Sequence, residues 1–398
     1  MIKTLKVRLY PNEEQTVLLE KHFGGCRFVW NHFLEVRNRY YAEHMNDKKK
    51  GLTAFDTMKM LTALKEELTW LNEINSQSLQ HSLVELDKAF RQFFRHNASY
   101  PTFKSKRDKQ YFIIPSGFKA KGNRLIIPKF TEGIKYRDKS SIPNNIKQIV
   151  ITKDADLYYA SIQYESNEEL EGGKGIVGLD MGIKHFLTTS DGIEVDPANS
   201  YRKFERKIKR EQRRLSRKKK GSKNSKKQMV KVQTMHKKIR DARTDFNHKV
   251  STAIAKHYGT VVIENLNIQG MQRNHHLAKS IADQGWYRFK TMLTYKLGWR
   301  EAKLIEIGRF DPSSRMCSRC GNIKHDLKLS DRIYHCDVCG LTIDRDLNAA
   351  INIRNIGLIK VGQGMSEFTP VESAMAGYLN REGISYHSLK QEPQSLQR

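Results

Sequence analysis

Four of the five cysteines fall into two Cys-x-x-Cys pairs, Cys317/Cys320 and Cys336/Cys339, with fifteen residues between the pairs. This spacing constrains the fold more than any other feature of the chain, because four thiolates so arranged fit the ligand set of one tetrahedral zinc ion. Gly321 and Gly340 follow the second cysteine of each pair, where a tight knuckle turn needs a residue free of a Cβ. A redox dithiol is the alternative reading, and two matched pairs argue against it. All four positions are thiolates and none is left for a substrate, so the zinc is expected to be structural. Cys26 stands apart and reads as a small buried hydrophobe.

Charge narrows the class of partner. Lys and Arg number 71 against 43 Asp and Glu, a formal net charge of +28. An excess of that size calls for a polyanion, and phosphate backbones are the obvious one. A basic membrane-surface protein would need an apolar anchor or an amphipathic helix with bulky apolar residues, and neither is present. No stretch approaches a transmembrane helix, and the opening Met1-Ile2-Lys3-Thr4-Leu5-Lys6 lacks a signal-peptide core, so a cytoplasmic location is expected. The positive charge is also concentrated. Residues 201–250 carry 21 Lys and Arg against 4 Asp and Glu. Within them Val232, Met235, Ile239, Ala242, Phe246 and Val250 recur at helical spacing, as do Phe204, Ile208 and Leu215 upstream. The pattern predicts a helical hairpin turning near Gly221-Ser222-Lys223-Asn224, with an apolar seam inside and basic faces outside. Arg213, Arg214, Arg217, Lys218, Lys219 and Lys220 are its candidate phosphate contacts.

Alternation along the rest of the chain changes character twice. Lys3–Tyr10 reads as a strand, residues 12–96 as helices, and 110–165 as short strands at 111–114, 124–127, 146–152 and 157–164. These strands, closed by the first strand of the chain, fit a small β-barrel. In the basic-aromatic connector Tyr100-Pro101-Thr102-Phe103-Lys104, Phe103 and Lys104 suit base stacking and phosphate contact. A linker spans 166–175. Beyond it come strands at 175–180, 184–190, 193–195, 260–263 and 303–307, with a helix near 287–302 and a last helix starting near Asp344-Arg345-Asp346. Residues 363–398 read as a disordered tail.

Three acids sit where apolar elements end or begin: Asp180 after Ile176-Val177-Gly178-Leu179, Glu264 after Val261-Val262-Ile263, and an Asp at the head of the last helix. Carboxylates converging from separate elements suit Mg²⁺ or Mn²⁺, and two such ions support phosphodiester hydrolysis. Their order along the chain is that of an RNase H-like fold. At the last helix Asp344 and Asp346 compete, since either could instead cap the helix.

These motifs resemble the TnpB proteins of transposable elements, relatives of type V CRISPR nucleases. Ile176–Lys184 is similar to the family's first RuvC motif and Val262–Asn267 to its second. Cys336-x-x-Cys339-Gly340 followed by Asp344-Arg345-Asp346-Leu347-Asn348-Ala349-Ala350 is similar to its zinc ribbon and third motif. Arg8–Pro11 through Arg27–Asn31 is similar to its helical opening segment. The resemblance implies an RNA-guided DNA endonuclease that binds a guide RNA from the transposon end. Such an enzyme cleaves double-stranded target DNA beside a short target-adjacent motif, with Asp180, Glu264 and Asp346 as catalytic and metal-holding acids. No obligate protein partner is implied. A non-cleaving RNA-guided repressor, a transposition accessory protein and an RNase H-like transposase are the rival readings. The expected fold is α+β multidomain: an N-terminal β-barrel (1–11 and 97–170) with a helical insertion (12–96), then an RNase H-like (RuvC) domain (171–312 and 341–362) interrupted by a zinc ribbon (313–340).

Overall fold

A computed structural model describes residues 1–44, 51–137, 142–328, 330–362 and 372–389. The chain divides into two compact units, Met1–Glu168 and Glu169–Arg398. No helix among the described residues is long and apolar enough to cross a membrane.

The first unit opens with β1 (Ile2–Tyr10), followed by α1 (Glu13–Glu43), α2 (Ala54–Glu67) and α3 (Ser76–Phe94). Six strands complete it: β2 (Gln110–Ile114), β3 (Lys119–Lys121), β4 (Arg124–Ile127), β5 (Phe130–Arg137), β6 (Ile146–Asp154) and β7 (Leu157–Glu165). Pro11 stops β1, and Asn12 starts α1 through a capping box. Asn12 Oδ1 accepts from the Gln15 N–H at 2.8 Å, and Gln15 Oε1 accepts from the Asn12 N–H at 3.2 Å. The stripe Leu79, Leu83 and Leu86 of α3 is wholly buried, and each such leucine stabilises the fold by roughly 1.5–3 kcal/mol. Gly25 on α1 is required by close approach, because a Cβ there would lie 2.0 Å from Ile74 Cδ1.

The seven strands run β2-β6-β7-β1-β5-β4-β3, each neighbouring pair antiparallel. The end strands β2 and β3 do not pair, so the sheet is open, and the closed barrel expected from the strand run is not found. The core explains why closure is unnecessary. Phe23, Trp30, Leu79 and Leu83 from the helices join Phe112, Ile114, Ile149 and Ile151 of the sheet in one apolar cluster. Helices occupy the space that a barrel would fill with its own strands.

The second unit contains β8 (Gly175–Asp180), β9 (Leu187–Thr189), β10 (Ile193–Val195), α4 (Ser200–Ser216), α5 (Lys223–His257) and β11 (Tyr258–Glu264). It continues with α6 (Ile268–Met271), α7 (Ala278–Gln284), α8 (Trp286–Gly298), β12 (Lys303–Ile307), β13 (Ile333–His335), β14 (Thr342–Asp344), α9 (Arg345–Lys360), α10 (Glu372–Arg381) and β15 (Tyr386–Ser388). Its main sheet has the order β12-β11-β8-β9-β10-β15. β8, β11 and β12 are parallel, and β9, β10 and β15 are added antiparallel. The parallel strands are near-continuous apolar runs because both faces are covered. Val261 and Ile263 pack with α5 and α8, while Val262 between them packs with Ile353 of α9.

Two glycines let α9 lie on this sheet. A Cβ at Gly178 of β8 would stand 2.1 Å from the Ala350 carbonyl oxygen, and one at Gly357 of α9 would stand 2.4 Å from Val262 Cγ1. The segment expected to be a disordered tail is ordered over 372–388. Met375 and Leu379 of α10 are fully buried, and β15 pairs with β10. Residues 363–371 and 390–398 lie outside the described residues.

Candidate functional site

Asp180 ends β8 and Glu264 ends β11, and the two parallel strands run in register with Leu179 opposite Ile263. Their carboxylates therefore leave the sheet side by side. The third acid comes from α9, which lies on the same strands. Asp344 is the N-cap: its Oδ1 accepts from the Asp346 N–H at 2.8 Å and the Leu347 N–H at 3.1 Å. That bond occupies Asp344 in capping and leaves the Asp346 side chain for the cluster. The electrostatics agree. Burial first, then the carboxylates of Asp346 and Glu264, push Asp180 up to about 8, against a smaller opposing effect of Arg345. Burial also raises Glu264, which accepts a hydrogen bond from Ser313 and faces Asp311. Three partly buried acids that repel one another are poorly served by protein alone, although among the described residues only the cysteine cluster brings three or more ligand atoms within 4.8 Å of one another.

Sequence reasoning passed over several neighbours of this cluster. Arg345 lies 3.4 Å from Asp346 Oδ1 and supplies a cation at its edge. Glu194 of β10 is raised by burial and lies in the field of Asp344 and Asp346. Asn348 and Asn352, one helical turn apart on α9, tie down the chain that enters the cysteine module. Asn348 Nδ2 donates to the Met316 carbonyl at 2.8 Å, and its Oδ1 accepts from the Ser318 N–H at 3.0 Å. Asn352 Nδ2 donates to the carbonyls of Ser313 and Met316 at 2.7 and 2.6 Å. The signal was in the sequence, as two asparagines four residues apart in a helix rich in alanine and isoleucine.

The cysteine module folds as two matching turns. Gly321 N–H donates to Cys317 O and Gly340 N–H to Cys336 O, both at 2.9 Å, with both glycines at positive φ (76° and 70°). The Sγ atoms of Cys317 and Cys339 are 3.5 Å apart, those of Cys320 and Cys336 are 3.6 Å apart, and all four lie within 4.8 Å of one another. A tetrahedral Zn–S bond of ~2.3 Å places sulfurs about 3.8 Å apart, so the cluster fits zinc closely. Backbone N–H groups of Cys339 and Val338 pull Cys336 down to about 6, while burial pushes Cys317 up. Buried Tyr334 closes the small core, donating to the Arg315 carbonyl at 3.1 Å. Cys26 is buried in the first unit, and burial pushes its thiol up to about 12.

The basic hairpin forms as read. Ile208, Met235 and Ile239 make the seam, and Ser222 caps α5 after the turn. Ala242, placed in the seam by periodicity, is exposed. Arg213, Arg214, Arg217, Lys218, Lys219 and Lys220 are all exposed at the tip. From Lys223 to Phe246, where α5 enters the core, the helix rises roughly 35 Å. Phe103 is exposed, but Lys104 folds back, with its Nζ 3.3 Å from the Trp30 ring centroid. Its backbone is held by Asn31 on α1 at 2.7 and 2.9 Å.

Three family profiles match the chain. One described as "Probable transposase" (OrfB_IS605) covers residues 160–275, one described as "Cas12f1-like, TNB domain" covers 286–353, and a "Helix-turn-helix domain" covers 1–46. A "Putative RNA-guided DNA endonuclease" of Streptomyces pristinaespiralis is 34% identical, across 98% of this chain and 96% of its own. The "Putative RNA-guided DNA endonuclease InsQ" of Escherichia coli K12 is 33% identical, across 89% of this chain and 92% of its own. A solved complex of Cas12f1, sgRNA and target DNA aligns with 89% of this chain and 99% of its own at 15% identity. Its TM-score of 0.34 is too low to carry a fold assignment.

Proposed function

The chain belongs to the TnpB family of RNA-guided DNA endonucleases, and we propose that it hydrolyses DNA phosphodiesters at the carboxylates of Asp180, Glu264 and Asp346. The observation that carries this reading is the burial of Asp180 beside the other two acids, which lifts it to about 8. A charge cluster this unfavourable persists where a cation is meant to answer it. The strand order, with β8 between parallel β11 and antiparallel β9, supports an RNase H-like (RuvC) domain interrupted by a zinc ribbon at 313–340.

Asp180, Glu264 and Asp346 would hold Mg²⁺ or Mn²⁺. When bound, such ions supply Lewis acidity toward the phosphate and lower the pKa of water. Ser313 orients Glu264, and Arg345 offsets negative charge beside Asp346. Cys317, Cys320, Cys336 and Cys339 would hold one structural Zn²⁺, with no position left for substrate. The nucleic-acid partners are a guide RNA from the transposon end and double-stranded target DNA in the cytoplasm. Sequence choice comes from base pairing with the guide and from a short adjoining duplex motif. The tip cations at Arg213–Lys220 then hold backbone, not bases.

Two measurements test this. RNA that co-purifies with the protein is sequenced, and the complex is assayed on matched DNA with and without Mg²⁺. Metal-dependent cutting that follows the RNA sequence is expected, whereas selective cutting by RNA-free protein would replace the guided model. Neutralising Arg213, Arg217, Lys218 and Lys219 should weaken binding to every DNA and flatten its salt dependence, leaving the cut sequence unchanged. A changed cut sequence would make the hairpin a base reader.

A further inference from the structure

Helix α8 presents two unlike faces. Trp286, Phe289, Leu293 and Leu297 are buried in the core of the second unit. Tyr287, Lys290, Thr291, Thr294 and Tyr295, at helical spacing on the other side, line an open cleft of about 460 Å³. Met181 and Glu264 line the same cleft, so its floor runs directly into the carboxylate cluster. From this continuity we propose that the cleft is a nucleobase subsite. It takes the base of the nucleotide next to the scissile phosphate, on an unpaired DNA strand, with Tyr287 as its stacking surface. The inference rests on the nuclease reading above and adds where the cut strand lies.

The wall is built to hold a flat aromatic ring. Tyr287 is 75% exposed, an area of aromatic surface that the core does not use. The threonine hydroxyls are already committed: Thr291 Oγ1 donates to the Tyr287 carbonyl at 2.9 Å and Thr294 Oγ1 to the Lys290 carbonyl at 2.8 Å. Lys290 Nζ is engaged by Glu306 at 2.6 Å, leaving chiefly its methylene stem to the cleft. Thr291, Thr294 and Lys290 add little base discrimination, because their donors are already used. Stacking on a tyrosine tolerates all four bases. This is the recognition expected of a centre whose sequence choice is made elsewhere. A base paired and stacked within a duplex cannot enter a one-sided cleft, so the subsite also makes the centre select unpaired strand.

The test uses the full chain with its bound RNA. In cleavage assays, one abasic nucleotide is moved along the DNA strand past the cut. One position beside the cut should slow the wild type on the order of ten-fold. Tyr287→Ala should slow cutting of intact DNA by a similar factor and be indifferent to that abasic position, while Tyr287→Phe restores both behaviours. An abasic penalty that persists undiminished in Tyr287→Ala would overturn the proposal. A second arm does not depend on cutting. In the Asp180→Ala complex, 2-aminopurine at that DNA position should be quenched, and Tyr287→Ala should relieve the quenching. Quenching of 2-aminopurine placed in the bound RNA instead would give the cleft to the guide and refute the DNA assignment. If the wild type cuts nothing, the nuclease reading falls, and the fluorescence arm, with 2-aminopurine moved along the DNA strand, still decides the subsite.

Discussion

Both units bury titratable groups, and they do so in opposite ways. In the first unit, His22 is fully buried, with Nδ1 2.8 Å from the Leu18 carbonyl and Nε2 accepting from the Asn75 N–H at 3.1 Å. Each ring nitrogen has a partner that suits a neutral imidazole, and burial pushes the group down to about 4. In the second unit, Asp180 is enclosed beside two like charges and pushed up to about 8. At His22 the first unit answers a buried titratable group from within the protein. At Asp180 the second unit sets a buried carboxyl beside like charges instead.

The strongest way to break this contrast is Asp180→Asn. It should lower cleavage on the order of 10³-fold yet raise the melting temperature of metal-free protein by replacing a carboxyl that must take up a proton to be buried there. A drop in melting temperature would mean that the acid is structural. The Asp180 contribution to the stability of metal-free protein should also be lost as pH rises from about 4 through 8, because the folded state holds the Asp180 proton there and the unfolded chain does not; the difference between wild type and Asp180→Asn should show that slope.

Cys336→Ser asks whether the cysteine module stands with the satisfied groups or the unsatisfied ones. Bound zinc, measured by elemental analysis, should fall from one per chain to none, and the module should lose hydrogen-exchange protection. Cleavage should fall roughly ten-fold or more, because α9 loses the segment that Asn348 and Asn352 hold. Undiminished activity without zinc would separate the module from the acid site.

His22 supplies the mirror image of Asp180. Because its folded pKa lies below the unfolded value of 6.5, stability is full above pH 6.5 and is lost as pH falls toward 4. The full effect amounts to about 3 kcal/mol. Denaturant titration between those limits should show the loss as the difference between wild type and His22→Gln. A smaller effect is expected from Asn352→Ala, which strands the Ser313 carbonyl and takes one of two donors from the Met316 carbonyl, at a cost of about 1–3 kcal/mol. Zinc content should be unchanged while cleavage declines, which would locate the defect in the join between module and helix.

The sequence made the local motifs legible and their joins less so. The strands around Asp180 and Glu264 and the turn of the basic hairpin were readable because long apolar runs and helical seams are local signals. β5 escaped notice because Gly133, at φ 70°, breaks its alternation. α10 and β15 were missed because Met375, Leu379 and Ile384 are few apolar anchors in a polar stretch. Spacing alone left Asp344 and Asp346 in competition; the family resemblance pointed to Asp346, and the hydrogen bonds of the helix start occupy Asp344. The open sheet of the first unit needed knowledge of what fills its concave face, and no strand reports that alone.

Gly178 and Gly357 set the reach of the acid cluster. With no side chain at either contact, α9 rests on its sheet through bare backbone on one side and bare Cα on the other. The gap between Asp346 and the strand-borne acids is thus gauged by main-chain contact, which side-chain repacking elsewhere in the core cannot retune. A single methyl at Gly178, facing the Ala350 oxygen at 2.1 Å, would act as a shim beneath the helix. Lifted by even an ångström, the helix would carry its carboxylate out of range of ions that tolerate little variation in ligand distance. The smallest side chain in the chain thereby sets the tolerance to which its reactive centre is built.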